Sequence, residues 1–397
     1  MLYQYFDKLL RASSASLLFS CIFAALTTAT MAADAIPNIP SEGKKLQDFV
    51  PAGWQIFKQA DGDLNGDAVK DYAFILVKAG DNPESGCLET PTRTARLVIV
   101  LHGSSNGQLK KACVSKGAIM QGDIGNDFAL LVVDIAITKG NLIISNGNGA
   151  TSIEQFESKY RYQKGKYELI GLTDNSGYTR DDAYYTEDVN LNNSYTETEA
   201  RKGSKTTSSE AFYWLRAGLV TNAPKMDGTF REEEWPGLAI KLKTKSNIAK
   251  GANAWKGPAD LSAEIRAIHT DTDLYICAKT THKTPNEAAS LRLFGNKKKI
   301  FSPVQSKTYK SSSGEYIEAK FPIKALKPAI GGNYGRIAAK YQRYDLSVEI
   351  VEPASPSTPE MILSTSCTAE KRPGFIGLPK SPWLPTLESW DWANRDQ

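Results

Sequence analysis

Asp61, Asp63, Asn65, Asp67 and Asp71 crowd the stretch DGDLNGDAVKDYAFIL, 61–76, immediately ahead of an apolar run. Alternate residues of a tight loop can turn several oxygens inward at once, and a hard cation such as calcium takes about six to eight of them. The chemistry on offer is therefore cation binding by carboxylate, amide and backbone oxygen. Two frames compete. Counted from Asp61, the ligands are Asp61, Asp63 and Asn65 with Gly66 in sixth place, as in an EF-hand loop, but the twelfth place, which needs a bidentate Glu, holds Tyr72. Counted from Asp63, they are Asp63, Asn65, Asp67, the carbonyl of Val69, and Asp71, and a strand follows at once. The spacing supports the second frame. Without metal, the same segment is an Asp/Asn-rich turn that hydrogen-bonds to itself.

Other residue types that do chemistry are sparse. Gly103-Ser104-Ser105-Asn106-Gly107 satisfies the G-x-S-x-G spacing of a nucleophile elbow, but an elbow must run into a helix, and 108–116 has no helical apolar face. It reads as the returning strand of a hairpin, which leaves a Ser105 hydrolase as a minor alternative to a non-enzyme. The only histidines are His102, His269 and His282, and the cysteine spacing matches no zinc pattern. Cys87, Cys113, Cys277 and Cys367 lie two to each half; in an oxidising compartment they are expected to pair as Cys87 with Cys113 and Cys277 with Cys367. The first bridge alone would stabilise by roughly 3 kcal/mol.

The elements that position these groups are strands. Across 46–171 short apolar or alternating runs, expected at 55–58, 72–78, 96–102, 128–138, 141–145, 160–163 and 167–172, are separated by Gly, Asn and Asp. Lys139-Gly140 and Lys164-Gly165-Lys166 read as hairpin turns. The motif GDLNGD…D followed by an aliphatic strand resembles the FG-GAP repeat, the calcium loop of integrin-like propeller blades. That resemblance covers one loop and its strand, and Gly122–Asp127 is at most a degenerate echo, so a single β-rich domain is expected over 33–202. The family has Gly after the third ligand where this chain has Ala68; a non-glycine residue there costs ~1 kcal/mol if its backbone is left-handed. From Asp174 to Ser209 aliphatic residues nearly vanish, which reads as solvated loop, with 203–220 a linker.

The second half repeats the strand pattern. Pro224 with Asp227-Gly228, Glu232 with Trp235, Asp260-Leu261-Ser262-Ala263, Asp271 with Leu274-Tyr275, and Glu318 with Pro322 follow in order. This order resembles the family 9 carbohydrate-binding modules and their DOMON-like relatives, and 375–378 fits the last strand of that family. The resemblance implies a jelly-roll-like β-sandwich over 221–378, and its alternating strands independently call for two packed antiparallel sheets. The fold class expected for the whole chain is all-β, in two β-rich domains. Sugar recognition needs flat aromatic faces flanked by polar groups. Trp255, Tyr309 and Tyr341 are the candidates, whereas Trp235 reads as a core anchor. The tail 379–397 carries Trp383, Trp390 and Trp392 and is expected to fold back on a domain.

Lys8 and Arg11 precede an apolar run at 17–26 and small residues near Ala32, which reads as a signal peptide over 1–32, too short for a comfortable membrane span. The expected location is periplasmic or extracellular, with no membrane association after cleavage. A net charge of +4 is too weak a bias to argue for nucleic acid. Together these readings imply a non-catalytic secreted protein with a calcium-stabilised first domain and a second domain that binds a glycan or cell-envelope component. The alternative is a structural or protein-interaction scaffold with no sugar ligand.

Overall fold

The computed structural model describes residues 36–82, 95–119, 130–149, 152–178, 183–191, 195–282, 289–295, 299–311, 314–326, 342–344, 346–354, 359–365, 375–378 and 386–389. The segment expected as a signal peptide, Cys87, Cys367, Tyr341 and the tail tryptophans lie outside these. Among the described residues the architecture is all-β, with only short 3-10 turns. Among the described residues no helix is long and apolar enough to cross a membrane.

The chain opens with β1 (Glu42–Gly43), β2 (Trp54–Gly62), β3 (Asp71–Lys78), β4 (Leu97–Gly103) and β5 (Leu109–Ser115). They form an antiparallel sheet in the order β1-β5-β4-β3-β2. Strands β3 and β4 are apolar without alternation because both faces of the sheet are covered. Ala73, Ile75, Val77, Val98 and Val100 enter one core, and Phe74, Leu76, Leu97, Ile99 and Leu101 enter another with Phe49 and Trp54.

A meander follows: β6 (Leu130–Thr138), β7 (Asn141–Gly149), β8 (Ser152–Gln163), β9 (Lys166–Tyr178), β10 (Ala183–Asn190), β11 (Tyr195–Lys202) and β12 (Lys205–Leu219). Its first strands pack on the opening sheet through Val133, Ile135, Ile144 and Phe156. Both expected hairpin turns are present. Lys139 and Gly140 have φ of 50° and 71°, Lys164 and Gly165 of 53° and 79°, and the flanking residues pair directly. Two residues at positive φ are what a two-residue turn matched to strand twist requires.

The polar stretch expected as solvated loop and linker is strand instead. Threonine and tyrosine supply the strand propensity that aliphatic residues supply elsewhere, and side chains bond across the ladder: Thr173 to Asp188, Thr186 to Asn175, Thr206 to Glu199. Within the expected linker, β12 runs antiparallel to β11 and then parallel to strands of the second half. Its alternation serves two cores, with Trp214 in the first and Leu215 and Ala217 in the second. The two halves therefore share a continuous sheet rather than being joined by a tether.

The second half comprises β13 (Ile240–Leu242), β14 (Ile248–Lys250), β15 (Leu261–His269), β16 (Asp273–His282), β17 (Ser290–Gly295), β18 (Ile300–Phe301), β19 (Gln305–Ser311), β20 (Gly314–Pro322), β21 (Gln342–Tyr344), β22 (Leu346–Glu352), β23 (Met361–Ser364) and β24 (Phe375–Leu378). The shared sheet continues as β12-β15-β16-β20-β19, ending on β19, and a second sheet runs β14-β23-β22-β17-β18. Ile265, Ile276, Ile317 and Phe321 meet Leu293, Val348, Ile350 and Leu363 in the core between them. This is the expected sandwich. The outer face of the shared sheet is partly roofed by 220–238, whose Trp235 is fully buried on Ile268, Tyr275, Cys277 and Tyr316.

At the far end, Thr386 bridges to Glu168, Leu387 donates its N–H to the Tyr167 carbonyl at 2.9 Å, and the Leu387 side chain is buried in the first core. The chain thus returns to its first half. The expected disulfides are not formed at the described cysteines: Cys113 and Cys277 are free, buried thiols. Each sits on a strand with its side chain in a core, and burial pushes the Cys277 thiol up to about 12.

Candidate functional site

The roof 220–238 covers only part of the outer face of the shared sheet. Side chains on this face follow from the register, because directly opposed residues of antiparallel strands project the same way. Tyr316 is buried beside Cys277, and its cross-strand neighbours are Lys279 on β16 and Tyr309 on β19. Tyr309 is 62% exposed, and Lys279 and Lys307 are exposed on the same face. At the roof's margin Phe230, 40% exposed, meets the Tyr316 ring edge-on at 5.4 Å between centroids. A shelf therefore runs outward from the roof, with Phe230 and Tyr309 exposed beside the largely buried Tyr316 and with Lys279 and Lys307 on the same face.

The roof is pinned from below. Glu318 is fully buried under Gly228, whose N–H donates to its Oε2 at 2.7 Å, while the Tyr316 hydroxyl donates to its Oε1 at 3.3 Å. Burial holds the Glu318 carboxyl above its ordinary range, with the nearby charges of Asp227 and Glu234 acting in the same direction. The Tyr316 phenol is raised by the same burial and by its Cys277 and Glu318 neighbours. Arg266 ties the roof to the sheet, donating to the Trp235 carbonyl at 3.3 Å and lying 3.4 Å from carboxylate oxygens of Glu232 and Glu264. Arg231 pairs with Asp227 at 3.0 Å and holds that carboxyl below the usual range.

Of the expected sugar contacts, only Tyr309 stands on this shelf. Trp255 packs against the core between the sheets and donates its indole N–H to the Leu261 carbonyl at 2.8 Å, so its ring anchors a loop. Tyr341 lies outside the described residues. Phe230, Tyr316, Lys279 and Lys307 were not singled out in the sequence. Only the strand register, which a sequence does not display, brings Lys279, Tyr316 and Tyr309 into one row.

In the first half, Asp63, Asn65, Asp67 and Asp71 do share one loop. Asp63 accepts N–H groups from Gly66 at 2.7 Å and Ala68 at 3.0 Å; Asn65 accepts from Asp67; Asp67 accepts from Val69 at 2.8 Å. Asp71 is fully buried, with Leu64 and Gly103 donating to its two oxygens. Asp61 is paired with Lys70 at 2.9 Å. Ala68 has φ of 62°, the left-handed conformation at which the FG-GAP pattern places glycine. These are hard oxygen donors, and each carboxylate oxygen retains lone-pair capacity beyond its N–H. Among the described residues, however, no three Asp, Glu, His or Cys side chains converge as a ready metal cage. The loop is closed by its own hydrogen bonds, and a cation would have to draw the Asp63, Asn65 and Asp67 oxygens together.

Ser105 sits in the turn joining β4 to β5, and the returning strand expected after it is β5. His102, on β4, is engaged with the Tyr167 hydroxyl at 2.7 Å. No helix follows Ser105 to support an oxyanion hole, so the elbow geometry is absent there.

No family model matches the chain, and comparison with curated proteins gives no match. Among solved structures, the chain is similar to a family 9 carbohydrate-binding module from Caldicellulosiruptor kristjanssonii in complex with cellotriose, at 13% identity, covering 42% of this chain and 93% of that one with a TM-score of 0.27. A second structure of a family 9 module from the same organism, in complex with glucose, is similar at 14% identity, covering 41% of this chain and 95% of that one with a TM-score of 0.25. At these TM-scores the likeness bears on neither ligand nor mechanism, and the sandwich stands on its own sheet pairing.

Proposed function

We propose that the protein is a non-catalytic carbohydrate-binding protein of the periplasm or extracellular space, and that its glycan lies on the shelf of Phe230, Tyr316 and Tyr309. The 62% exposure of Tyr309, on a face whose other aromatic rings are mostly buried, is the observation that carries this reading. A flat ring free on one side stacks on a pyranose face, and flanking polar groups satisfy the hydroxyls. Calcium belongs to the proposal as a stabiliser of the Asp63–Asp71 loop, far in sequence from the shelf and with no part in ligand contact. Affinity electrophoresis of the full chain through gels containing a panel of neutral and acidic polysaccharides tests the reading. Retardation by at least one polysaccharide, lost in Tyr309→Ala with unchanged melting, is expected; no retardation by any of them would remove it.

The scaffold alternative has its own support in β19. That strand closes the shared sheet with no further partner among the described residues, and 304–310 is exposed throughout. Such an edge can accept a strand from another chain. Association with a protein partner that survives Tyr309→Ala, alongside failure of every glycan, would favour it.

A further inference from the structure

Several cations of the second half are already neutralised. Arg266 is shared between Glu232 and Glu264, Arg292 lies 2.8 Å from Glu349, Lys310 3.5 Å from Glu315, and Lys320 3.2 Å from Asp273. Lys279 and Lys307 differ: both are exposed, and among the described residues neither is in an ion pair. Both project from the same face as Tyr309, Lys307 beside it on β19 and Lys279 on the far side of Tyr316.

Lys279 stands in the row Glu264, Lys279, Tyr316, Tyr309, two strands from the exposed ring. Strands are about 4.8 Å apart, which puts its backbone about 10 Å from that of Tyr309. Lys307 precedes Tyr309 by two positions along β19, about 7 Å. Glu318, directly opposite Lys307, is buried and committed to Gly228 and Tyr316. Glu264 turns to Arg266, and Asp227 to Arg231. The carboxylates nearest the shelf are thus spoken for by arginines or by backbone, whereas its lysines are free.

We infer that the ligand of this shelf is an acidic polysaccharide, with a sugar ring stacked on Tyr309 and anionic groups of its neighbours, carboxylate or sulfate, met by Lys279 and Lys307. This inference rests on the glycan-binding reading above and specifies its ligand class. Charge complementarity is what selects it. A neutral glycan offers these ammonium groups only hydroxyl and ring oxygens, whereas an acidic one offers the stronger charge-assisted hydrogen bonds.

The test compares binding of the full chain to polygalacturonate, to the same polymer with its carboxyls reduced to alcohols, to dextran sulfate, and to poly-glutamate, each at low and high salt. Polygalacturonate or dextran sulfate is expected to bind about tenfold or more tighter than the reduced polymer, less so at high salt. The Lys279→Gln/Lys307→Gln double variant is expected to erase that difference, and Tyr309→Ala to weaken binding to the acidic polymer, both without altering the melt. Preference for dextran sulfate alone assigns sulfate, and for polygalacturonate alone carboxylate, as the anion. Equal binding of native and reduced polymers overturns the acidic ligand but leaves the glycan reading intact. Poly-glutamate binding as tightly as the sugar acid, or no binding to any polysaccharide, overturns both. Full retention of the preference in the double variant overturns the assignment to these lysines.

Discussion

The carboxylate of Asp71 reaches across the first sheet to the backbone of Gly103, accepting its N–H at 2.9 Å while its other oxygen accepts from Leu64 at 2.8 Å. A buried, solvent-free carboxylate thereby fastens the 63–71 loop to the end of β4. Hydrogen bonds to an ionised acceptor contribute about 1.5–3 kcal/mol each, and deleting the acceptor strands two donors. Asp71→Ala is expected to cost about 3–5 kcal/mol in urea unfolding. Gly103→Ala should also be destabilising, because a Cβ there would lie 2.2 Å from the Lys70 carbonyl oxygen. A wild-type midpoint in either variant would mean that this clasp does not support the fold.

Calcium should raise the melting temperature of the chain, with the shift lost in Asp67→Ala and reversed by chelator. Asp67 is preferred to Asp71 as the probe because it is exposed and its loss leaves the buried clasp untouched. Identical melts with calcium and with chelator would remove the metal. Independently of metal, Ala68→Gly relieves a left-handed alanine and should stabilise by up to ~1 kcal/mol, partly offset by the greater freedom of glycine in the unfolded chain.

Much of this was legible because it depends on local chemistry. The left-handed site at Ala68, the Lys-Gly hairpin turns and the burial of Trp235 follow from residue type and spacing over a few positions. The long polar strands were missed because β10 and β11 owe their pairing to threonine, tyrosine and cross-strand hydrogen bonds, which mimic the composition of a loop. Their inner positions nevertheless alternate, with Glu187 and Val189 buried. The role of β12 was hidden for a related reason: a strand that gives Trp214 to one core and Leu215 to another has no single apolar face. Cysteine parity suggested bridges, but Cys113 and Cys277 each face a separate core, a fact set by tertiary packing. The shelf was legible only in part, since Tyr309 could be named while its partners depend on register.

Tyr309 and Trp255 should separate binding from stability. Tyr309 is exposed on an edge strand, so Tyr309→Ala is expected to abolish glycan retardation with a melting change equivalent to under ~0.5 kcal/mol. Trp255→Ala removes a ring packed on the inter-sheet core and an indole hydrogen bond, and should cost about 2–3 kcal/mol while leaving retardation of the folded protein intact. The opposite pattern would move the glycan site to the Trp255 loop.

The stability of the second half should also depend on pH through Glu318. Its carboxyl is buried beneath Gly228 and held above the ordinary value of 4.5, with desolvation the leading cause and the Gly228 and Tyr316 donors opposing it. Below that ordinary value the carboxyl is protonated in both folded and unfolded chains, and no penalty arises. As pH rises, the unfolded chain releases its proton first while the folded chain still holds it, so unfolding gains free energy until the folded value is passed. The stabilisation is therefore complete at acid pH and lost as pH rises through the raised folded value. Glu318→Gln keeps an acceptor for the Gly228 N–H but cannot ionise. Its melting temperature relative to wild type should be nearly level at acid pH and should climb as pH rises from the ordinary value to the raised folded one. Groups away from Glu318 titrate equally in both proteins, and its neighbours Tyr316 and Cys277 are held above their ordinary values by burial, so over the acid-to-neutral window the difference follows Glu318. A difference that stays constant with pH would show that Glu318 ionises in the folded protein as readily as in the unfolded chain.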